Sequence, residues 1–362
     1  MRIAFVLAAF AVPIYAHPSM SNLLNELMAR EVDDSPVDND ELMSSFNGVS
    51  DSSLTDVGRD LKKILVGKGI AQDSRSSGLT TEKYDSVPKL GSDECNKDTC
   101  CVWSYIGKDL KDLFTNTDQD HKTCNRFARQ IVRLAFHDCI THAGRNKGGC
   151  DASIVNSKEE NERVENKGMQ EITNKLKQLY SKYDDKGISM ADLIQFGASV
   201  AVHTCPGGPR YRVFMGRKDT NDANPSGLVP SPFDTADEIL RKFREKSFLA
   251  RNTVALVGAH TISLNNTLPG QPQDTTPTKW DQNYFAQTLD PSKAKSSIFI
   301  FQSDANLAKD SDSKSWFELF LKDKTRWDNE YAYAVIRLSL LNIYNLNDLK
   351  ECSKALPLRD TD

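Results

Sequence analysis

Apolar residues recur at helical spacing along most of the chain after residue 95. Between Phe127 and Ala135 they form one stripe, which predicts a buried helix face. The adjoining face of this helix carries four polar residues: Arg126, Gln130, Arg133 and His137. A second helix is predicted between Met169 and Tyr183, and Gly187 is placed to end it.

The pattern continues with a third helix and very little strand. Ser189 and Asp192 have the spacing of a capping box, so this helix is predicted to begin there and to run to about His203. Strand signals are few and short, chiefly in residues 212–215 and 298–301. The expected fold class is therefore mainly α.

The N-terminus has the pattern of a secretory signal peptide. Met1 and Arg2 precede an apolar run that ends near Ala16 and is too short to span a bilayer. We therefore interpret residues 1–16 as a signal peptide that is cleaved after Ala16; an N-terminal core helix is the alternative. No later stretch is long and apolar enough to anchor the chain, so we expect a secreted protein without a membrane partner.

Residues 17–89 are rich in Asp, Ser and Asn and contain no cysteine. Because such a composition buries little apolar surface, this range is interpreted as a pro-segment or disordered leader. Residues 23–30 show the clearest helical pattern within it, and residues 54–70 show a weaker one.

Charge and cysteine content narrow the class of protein further. The formal net charge is -4 and the pI is near 5.9, without a basic stripe, so no nucleic-acid partner is expected. Eight cysteines in a secreted chain fit an oxidising compartment, although the sequence alone leaves their pairing open. A zinc site is the alternative, but no Cys-x-x-Cys pairs support it.

Two histidines carry the candidate chemistry. His137 follows Arg133 by four residues, which places an imidazole and a guanidinium on one helix face. A second imidazole, His260, stands in an apolar stretch that is predicted to be helical, Leu256-Val257-Gly258-Ala259-His260-Thr261. Each has an ordinary interpretation, a solvated face for the pair and a structural residue for His260. Together they fit the two sides of a haem, with an iron ligand below it and a base and a cation above it.

At these residues the chain resembles the secreted plant, fungal and bacterial haem peroxidases, most closely the fungal class II (ligninolytic-type) branch. The resemblance spans about Cys95 to Cys352 and is carried by the order of six segments: residues 133–139, 191–196, 205–209, 227–233, 256–261 and 302–304. It implies the plant-type haem peroxidase fold, in which two helical halves sandwich one haem. The domain would be residues 90–362, with a distal half at about 90–230 and a proximal half at about 231–355.

The resemblance implies a role for each side of the haem. On the proximal side, His260 would be the axial ligand of haem b iron, and Asp304 would accept its other N–H. On the distal side, His137 would move the proton of hydrogen peroxide and Arg133 would stabilise the charge on the departing oxygen. Phe136 would be the distal aromatic. The carbonyl of Asn166 would hold the tautomer of His137, with Glu160 further out and Glu159 or Glu162 as alternatives.

Two calcium ions and four disulfides are also implied. The distal calcium set is Asp138, the Gly149 carbonyl, Asp151 and Ser153. The proximal calcium set is Thr261, Asp274, Thr276, the Lys279 carbonyl and Asp281. The implied disulfides are Cys95–Cys101, Cys100–Cys352, Cys124–Cys205 and Cys139–Cys150. The last pairing is more like the plant secretory branch than the fungal one.

Several positions depart from the family pattern. Ala255 stands where lignin-oxidising members keep a surface tryptophan. Manganese-oxidising members keep three carboxylates at the positions of Arg126, Gln130 and Asn266. Gln273 replaces a common proximal phenylalanine, and the chain ends soon after Cys352, without the long fungal tail and its disulfide. Small phenolic donors at the haem edge are therefore favoured over Mn²⁺. Asn265-Asn266-Thr267 is the one usable glycosylation sequon.

The expected function is that of an extracellular haem peroxidase, which reduces hydrogen peroxide to water and oxidises small donors by one-electron steps. A monomer is expected. The alternative is a secreted haem-binding scaffold that has lost turnover.

Overall fold

Helices dominate the part of the chain that the structure describes. The computed structural model describes residues 41–73, 84–115, 123–265 and 270–358. Within these ranges no helix has both the length and the apolar character needed to cross a membrane. The signal peptide interpretation (residues 1–16) and the helical pattern at residues 23–30 lie outside the described residues.

Fourteen α-helices follow one another along the described parts of the chain. Their bounds are α1 Asp56–Leu65, α2 Asp93–Lys97, α3 Cys101–Phe114, α4 Arg126–Ile140, α5 Ser153–Asn156, α6 Lys158–Asn161, α7 Gln170–Tyr183, α8 Met190–Thr204, α9 Ala236–Arg244, α10 Ala250–Val257, α11 Asn283–Leu289, α12 Gln302–Leu307, α13 Lys314–Lys322 and α14 Lys324–Ser339. The expected mainly α class is confirmed. Two 3-10 turns, Val164–Asn166 and Gly258–Ile262, carry residues of the candidate site.

Strand is limited to one antiparallel pair among the described residues. β1 (Phe214–Met215) pairs with β2 (Lys350–Glu351). The strand prediction for residues 212–215 therefore contains β1, but the one for residues 298–301 is wrong. There the N–H of Phe299 reaches a single carbonyl, that of Pro272 at 2.9 Å, and no strand is assigned to the segment.

α4 is held at its start and along its buried side. Asn125 caps it, because its side chain accepts the N–H of Phe127 at 2.9 Å. α4 packs against α8, in which every residue from Met190 to His203 is buried. Gly197 permits this contact, since a Cβ there would come 2.4 Å from Cδ1 of Ile131. This close packing fixes the position of the face that carries the predicted distal residues.

The capping box predicted for α8 is only half formed. Ser189 does accept the N–H of Asp192 at 3.0 Å. The carboxylate of Asp192 instead accepts N–H groups of Gly216 at 2.7 Å and Arg217 at 3.2 Å. It also pairs with the buried guanidinium of Arg217 at 2.9 Å, and a buried ion pair is a stronger partner than the cap amide.

α10, α11, α13 and α14 form a second group around aromatic side chains. The rings of Trp280 and Trp327 stack with centroids 4.9 Å apart, and Phe285 meets Trp327 edge-on. α14 also contacts α4, which joins the two groups. All four tryptophans are buried: Trp103, Trp280, Trp316 and Trp327. The division into distal and proximal halves stays a prediction.

All eight cysteines are paired as the resemblance implies. The disulfides are Cys95–Cys101, Cys100–Cys352, Cys124–Cys205 and Cys139–Cys150. The second joins positions 252 residues apart, so it ties α3 to the end of the described chain. Such cross-links stabilise a fold mainly by restricting the unfolded chain.

Residues 41–73 are folded, which corrects the interpretation of residues 17–89 as a disordered leader. Thr55 caps α1 and its N–H donates to Asn347 Oδ1 at 2.8 Å. Leu61 in α1 is fully buried. The composition of residues 17–89 as a whole did not reveal this, because the apolar residues that pack are concentrated on one face of α1. Removal as a pro-segment stays a prediction.

Two arginines clamp this N-terminal segment to the rest of the domain. Arg210 pairs with Asp73 at 2.7 Å, and both side chains are buried. Arg212 pairs with Asp60 at 2.7 Å and with Glu351 at 2.5 Å. Losing the segment would leave Arg210 without Asp73 and Arg212 with Glu351 alone, and removing one partner of a buried ion pair is costly.

Replacing Leu61 by Ala tests whether α1 is part of the folded domain. We expect the free energy of unfolding of the full chain to fall by about 2–5 kcal/mol, measured by urea denaturation. Val66 follows the same helix and is 47% exposed. Val66→Ala is therefore the matched control, with an expected change below about 0.5 kcal/mol. Equal unfolding midpoints for the two variants would contradict the docking of α1.

Candidate functional site

The orientation and tautomer of His137 are set by hydrogen bonds at both ring nitrogens. Its Nδ1 lies 2.9 Å from Oδ1 of Asn166. The amide of Asn166 is itself oriented, because its Nδ2 donates to the carbonyl of Glu160 at 2.7 Å. Nδ1 of His137 therefore carries the proton and donates. Nε2 keeps its lone pair, towards which Nε of Arg133 points at 3.3 Å.

Arg133 is anchored by the same short turn that supplies Asn166. Its Nη1 donates to the carbonyl of Lys167 at 2.9 Å and its Nη2 to that of Glu165 at 2.6 Å. Burial lowers the pKa of Arg133, which shows that water solvates the cation poorly. One backbone turn thus positions both the base and the cation. Sequence reasoning missed these carbonyls, because every residue has one and the residue type does not show which carbonyl will face Arg133.

Burial lowers the pKa of His137 to about 3. The positive charge of Arg133 lowers it as well, whereas the hydrogen bond to Asn166 acts in the opposite direction. Proximity to His260 adds a smaller lowering, so the two imidazoles lie within electrostatic reach of each other. His137 is therefore neutral at physiological pH and can accept a proton.

Phe136 adds an aromatic surface beside the distal pair. Its ring meets that of His137 edge-on at 6.0 Å and stacks on Phe243 at 6.0 Å. Val164, in the turn that anchors Arg133, is 75% exposed. An apolar surface therefore adjoins the groups that could move a proton.

His260 lies in the 3-10 turn Gly258–Ile262, directly after α10, and not in the α-helical stretch that its apolar neighbours suggested. Its Nδ1 lies 2.9 Å from Oδ2 of Asp304, which is buried. The rings of Tyr284 and Phe301 pack around the imidazole at 5.8 and 5.9 Å. Among the described residues Nε2 makes no hydrogen bond, so its lone pair remains for a metal.

The turn that presents His260 requires a glycine. A Cβ on Gly258 would come 2.6 Å from Nε1 of Trp327 and 2.7 Å from Cζ of Phe285. Nε1 of Trp327 donates to the carbonyl of Ala255 at 3.1 Å, which secures the end of α10. The backbone before His260 therefore lies against the aromatic core, and the imidazole cannot move without disturbing it.

The residues of the predicted distal calcium set lie together. Asp138 is fully buried, and among the described residues neither its Oδ1 nor the hydroxyl of Ser153 has a hydrogen-bond partner. Burial raises the pKa of Asp138 well above its usual range, and the charge of Asp151 adds to this effect. Asn224, which sequence reasoning missed, donates to Oδ1 of Asp151 at 3.1 Å and to the carbonyl of Gly149 at 3.3 Å.

The predicted proximal set also converges. Thr261 donates its hydroxyl to the buried Asp274. Thr276 donates its N–H to Asp274 at 2.6 Å and its hydroxyl to Asp281 at 2.7 Å. Burial raises the pKa of Asp274 to about 6, opposed by these donors and supported by the charge of Asp281. Lys279 lies in the same turn, with its N–H on the carbonyl of Thr276 at 2.9 Å.

Both oxygen clusters fit a hard cation better than a soft metal. Each combines carboxylates with hydroxyl or carbonyl oxygens, the donor types that Ca²⁺ prefers. In the described ranges no three His, Cys, Asp or Glu side chains converge in a metal-binding group. The orphaned oxygens of Asp138 and Ser153 are the strongest indication, because a buried carboxylate needs a counter-charge.

Comparison with known proteins agrees with this geometry. The sequence model of the family described as peroxidase matches residues 107–323. A versatile peroxidase from Pleurotus eryngii is 32% identical over 290 residues, 73% of this chain and 76% of that protein. A peroxidase from Arthromyces ramosus is 30% identical, covering 75% of this chain and 80% of that protein. A ligninase from Phanerodontia chrysosporium is 27% identical, covering 78% and 83%. The chain therefore belongs to the peroxidase family.

Proposed function

We propose that this chain is an extracellular haem peroxidase that reduces hydrogen peroxide to water and oxidises small phenolic donors in one-electron steps. The observation that carries the proposal is a pair of oriented imidazoles within electrostatic reach of each other. His137 has a fixed tautomer beside Arg133, and His260 is bonded to Asp304 with Nε2 left for a metal.

Family membership implies a haem-type cofactor, hydrogen peroxide and a reducing substrate. We propose haem b, which Nε2 of His260 would hold through its iron; when bound, the haem would supply the redox centre. Nδ1 of His260 donates to the Asp304 carboxylate, which increases the basicity of the ligand. The aromatic rings around His260 offer the apolar surroundings that a porphyrin needs.

On the distal side the chain's own groups move the proton. Nε2 of His137 accepts a proton from one oxygen of hydrogen peroxide and returns it to the oxygen that leaves as water. The guanidinium of Arg133 stabilises the negative charge that develops as the O–O bond breaks. Asn166 keeps the other proton on Nδ1, so the ring presents a lone pair each time. Two donor molecules supply the two electrons and two protons that complete two waters.

Small phenolic donors are proposed because this chain lacks the residues of two other donor sites, the surface tryptophan of lignin-oxidising members and the carboxylates of manganese-oxidising members. Ala255 is fully buried and offers no surface aromatic. Arg126 binds Glu171 through Nη2 at 2.6 Å, and Gln130 approaches the same carboxylate at 3.4 Å. A cation at this position would meet the guanidinium, which disfavours Mn²⁺. Asn266 lies outside the described residues.

Two calcium ions are proposed as structural supports of the two histidines. Asp138 follows His137 directly, and Thr261 follows His260 directly. A cation in either cluster would therefore restrain the backbone of the residue that does the chemistry. The buried carboxylates supply the negative charge that retains it.

Secretion is proposed from the disulfides and the signal-like N-terminus, and the monomeric state stays a prediction. Four disulfides fit an oxidising compartment. The assignment of residues 1–16 as a signal peptide and the removal of a pro-segment both stay predictions. The sequon asparagine, Asn265, is buried, which makes it a poor acceptor for a glycan in the folded protein.

Replacing His137 by Leu should lower the rate of reaction with hydrogen peroxide by about 10²–10⁴-fold, because a positioned base is lost. The rate is measured by stopped-flow absorbance at fixed pH. Haem content of the variant is the control, since His260 is untouched. A haem-loaded variant that reacts at the wild-type rate would favour the haem-binding scaffold instead.

The rate should also report the protonation of His137. A base acts only when neutral, and with a pKa of about 3 the rate should hold down to about pH 4 and fall below it. Arg133→Leu removes a positive charge that opposes protonation of His137. The pKa of His137 should therefore rise, so the fall in rate on the acid side (the acid limb) should begin at a higher pH. Arg145 is exposed and lies over Tyr344, so Arg145→Leu is the control with an unmoved limb. An unmoved limb in Arg133→Leu would contradict the electrostatic coupling.

Calcium should raise the melting temperature of the wild-type protein, by the equivalent of about 2.7 kcal/mol for each site at 100 times its dissociation constant. Asp151→Ala should abolish the distal cluster's share of this rise, because one of its carboxylates is lost, and should leave the share of the proximal cluster. Asp222 is exposed in the loop beside the cluster, and Asp222→Ala should retain the rise. Scanning calorimetry with EDTA and with added Ca²⁺ measures the rise in melting temperature. Identical melting in EDTA and Ca²⁺ would argue against structural calcium.

A further inference from the structure

A buried glutamine shares the carboxylate that orients His260. Nε2 of Gln273 lies 3.0 Å from Oδ2 of Asp304, the same oxygen that accepts Nδ1–H of His260 at 2.9 Å. Gln273 and Asp304 are each 2% exposed. The two nitrogens lie 3.4 Å apart because both are donors to one oxygen, not because they bond each other.

The amide of Gln273 is oriented from its other end. Ser263 donates its hydroxyl to Oε1 of Gln273, and the backbone N–H of Gln273 reaches the carbonyl of Ser263 at 3.4 Å. Oε1 is thereby assigned to the side of Ser263, and Nε2 to the side of the carboxylate. The reverse orientation would place an oxygen against a buried carboxylate oxygen, which is repulsive.

We propose that Gln273 is a positioning residue that weakens the pull of Asp304 on the His260 proton and so raises the reduction potential of an iron held by His260. The inference rests on the proposed function, because it needs haem on Nε2 of His260. A second N–H donor on Oδ2 draws negative charge away from the first hydrogen bond. His260 then has less imidazolate character, which stabilises ferric iron less and favours the reduced state.

A purely structural role for Gln273 predicts the opposite sign. If the amide only made the pocket polar, replacing it by an apolar side chain would disfavour the charged ferric form and make the potential more positive. If the hydrogen bond is the cause, the same replacement frees Asp304 and makes the potential more negative. The direction of the change therefore separates the two explanations.

The test compares Gln273→Leu with Gln271→Leu. Gln271 stands two residues away, and among the described residues only its backbone carbonyl makes a hydrogen bond, to Asn265. In the haem-loaded full chain we expect Gln273→Leu to shift the ferric–ferrous equilibrium about tenfold towards ferric, which is about 59 mV more negative for one electron. The iron–histidine stretching frequency of the ferrous protein should rise. Gln271→Leu should change neither quantity.

Two further variants keep the inference testable if Gln273→Leu folds poorly. Gln273→Met preserves length without a donor and should shift both quantities in the same direction. Ser263→Ala releases the far end of the amide and should give a smaller shift of the same sign. In an Asp304→Asn background, Gln273→Met should add no negative shift, because the shared carboxylate is gone.

The outcomes separate the inference from the function on which it rests. A wild-type chain that takes up no haem overturns the proposed function, and the inference falls with it. A wild type that binds haem, combined with donor-free variants whose potential is unchanged or more positive, overturns the inference alone. A negative shift with a raised stretching frequency, absent from Gln271→Leu, supports it.

Discussion

The site depends on the same hydrogen bond at both histidines. Each imidazole donates its Nδ1 proton to a side-chain oxygen, which leaves Nε2 without a proton. For His137 the oxygen belongs to the neutral amide of Asn166, and for His260 to the carboxylate of Asp304. The difference in charge supports the two proposed roles. A neutral partner in a buried pocket leaves a ring that accepts and returns a proton. A carboxylate partner leaves a ring that donates electron density to a metal.

The rest of the fold keeps those two bonds in place. α8 packs closely against α4 because Gly197 has no Cβ. The aromatic core packs closely against the turn of His260 because Gly258 has none either. The turn Val164–Asn166 brings Asn166 and the carbonyls for Arg133 to one place. Close packing of this kind transmits small displacements directly to the rings, so the histidines are as rigid as the helices behind them.

Buried charges elsewhere in the fold also depend on a partner of opposite charge. Within the described ranges neither Asp138 nor Asp274 forms an ion pair, and burial raises the pKa of each. A bound cation would remove that penalty and restrain the residue next to each histidine. Arg210, in contrast, pairs with Asp73 and Arg212 with Asp60, both in the N-terminal segment, which makes residues 41–73 part of the folded protein.

The sequence by itself determined what depends on near neighbours along the chain. The apolar stripe of α4, the Arg133–His137 spacing and the order of the motifs predicted the fold class and the candidate residues, because helical period and residue chemistry are local properties. The tertiary structure decided which oxygen faces each ring, that α1 docks beside Asn347, and that Gln273 shares the carboxylate of Asp304. These contacts join segments far apart in sequence, and only the path of the packed backbone brings their atoms within hydrogen-bonding distance.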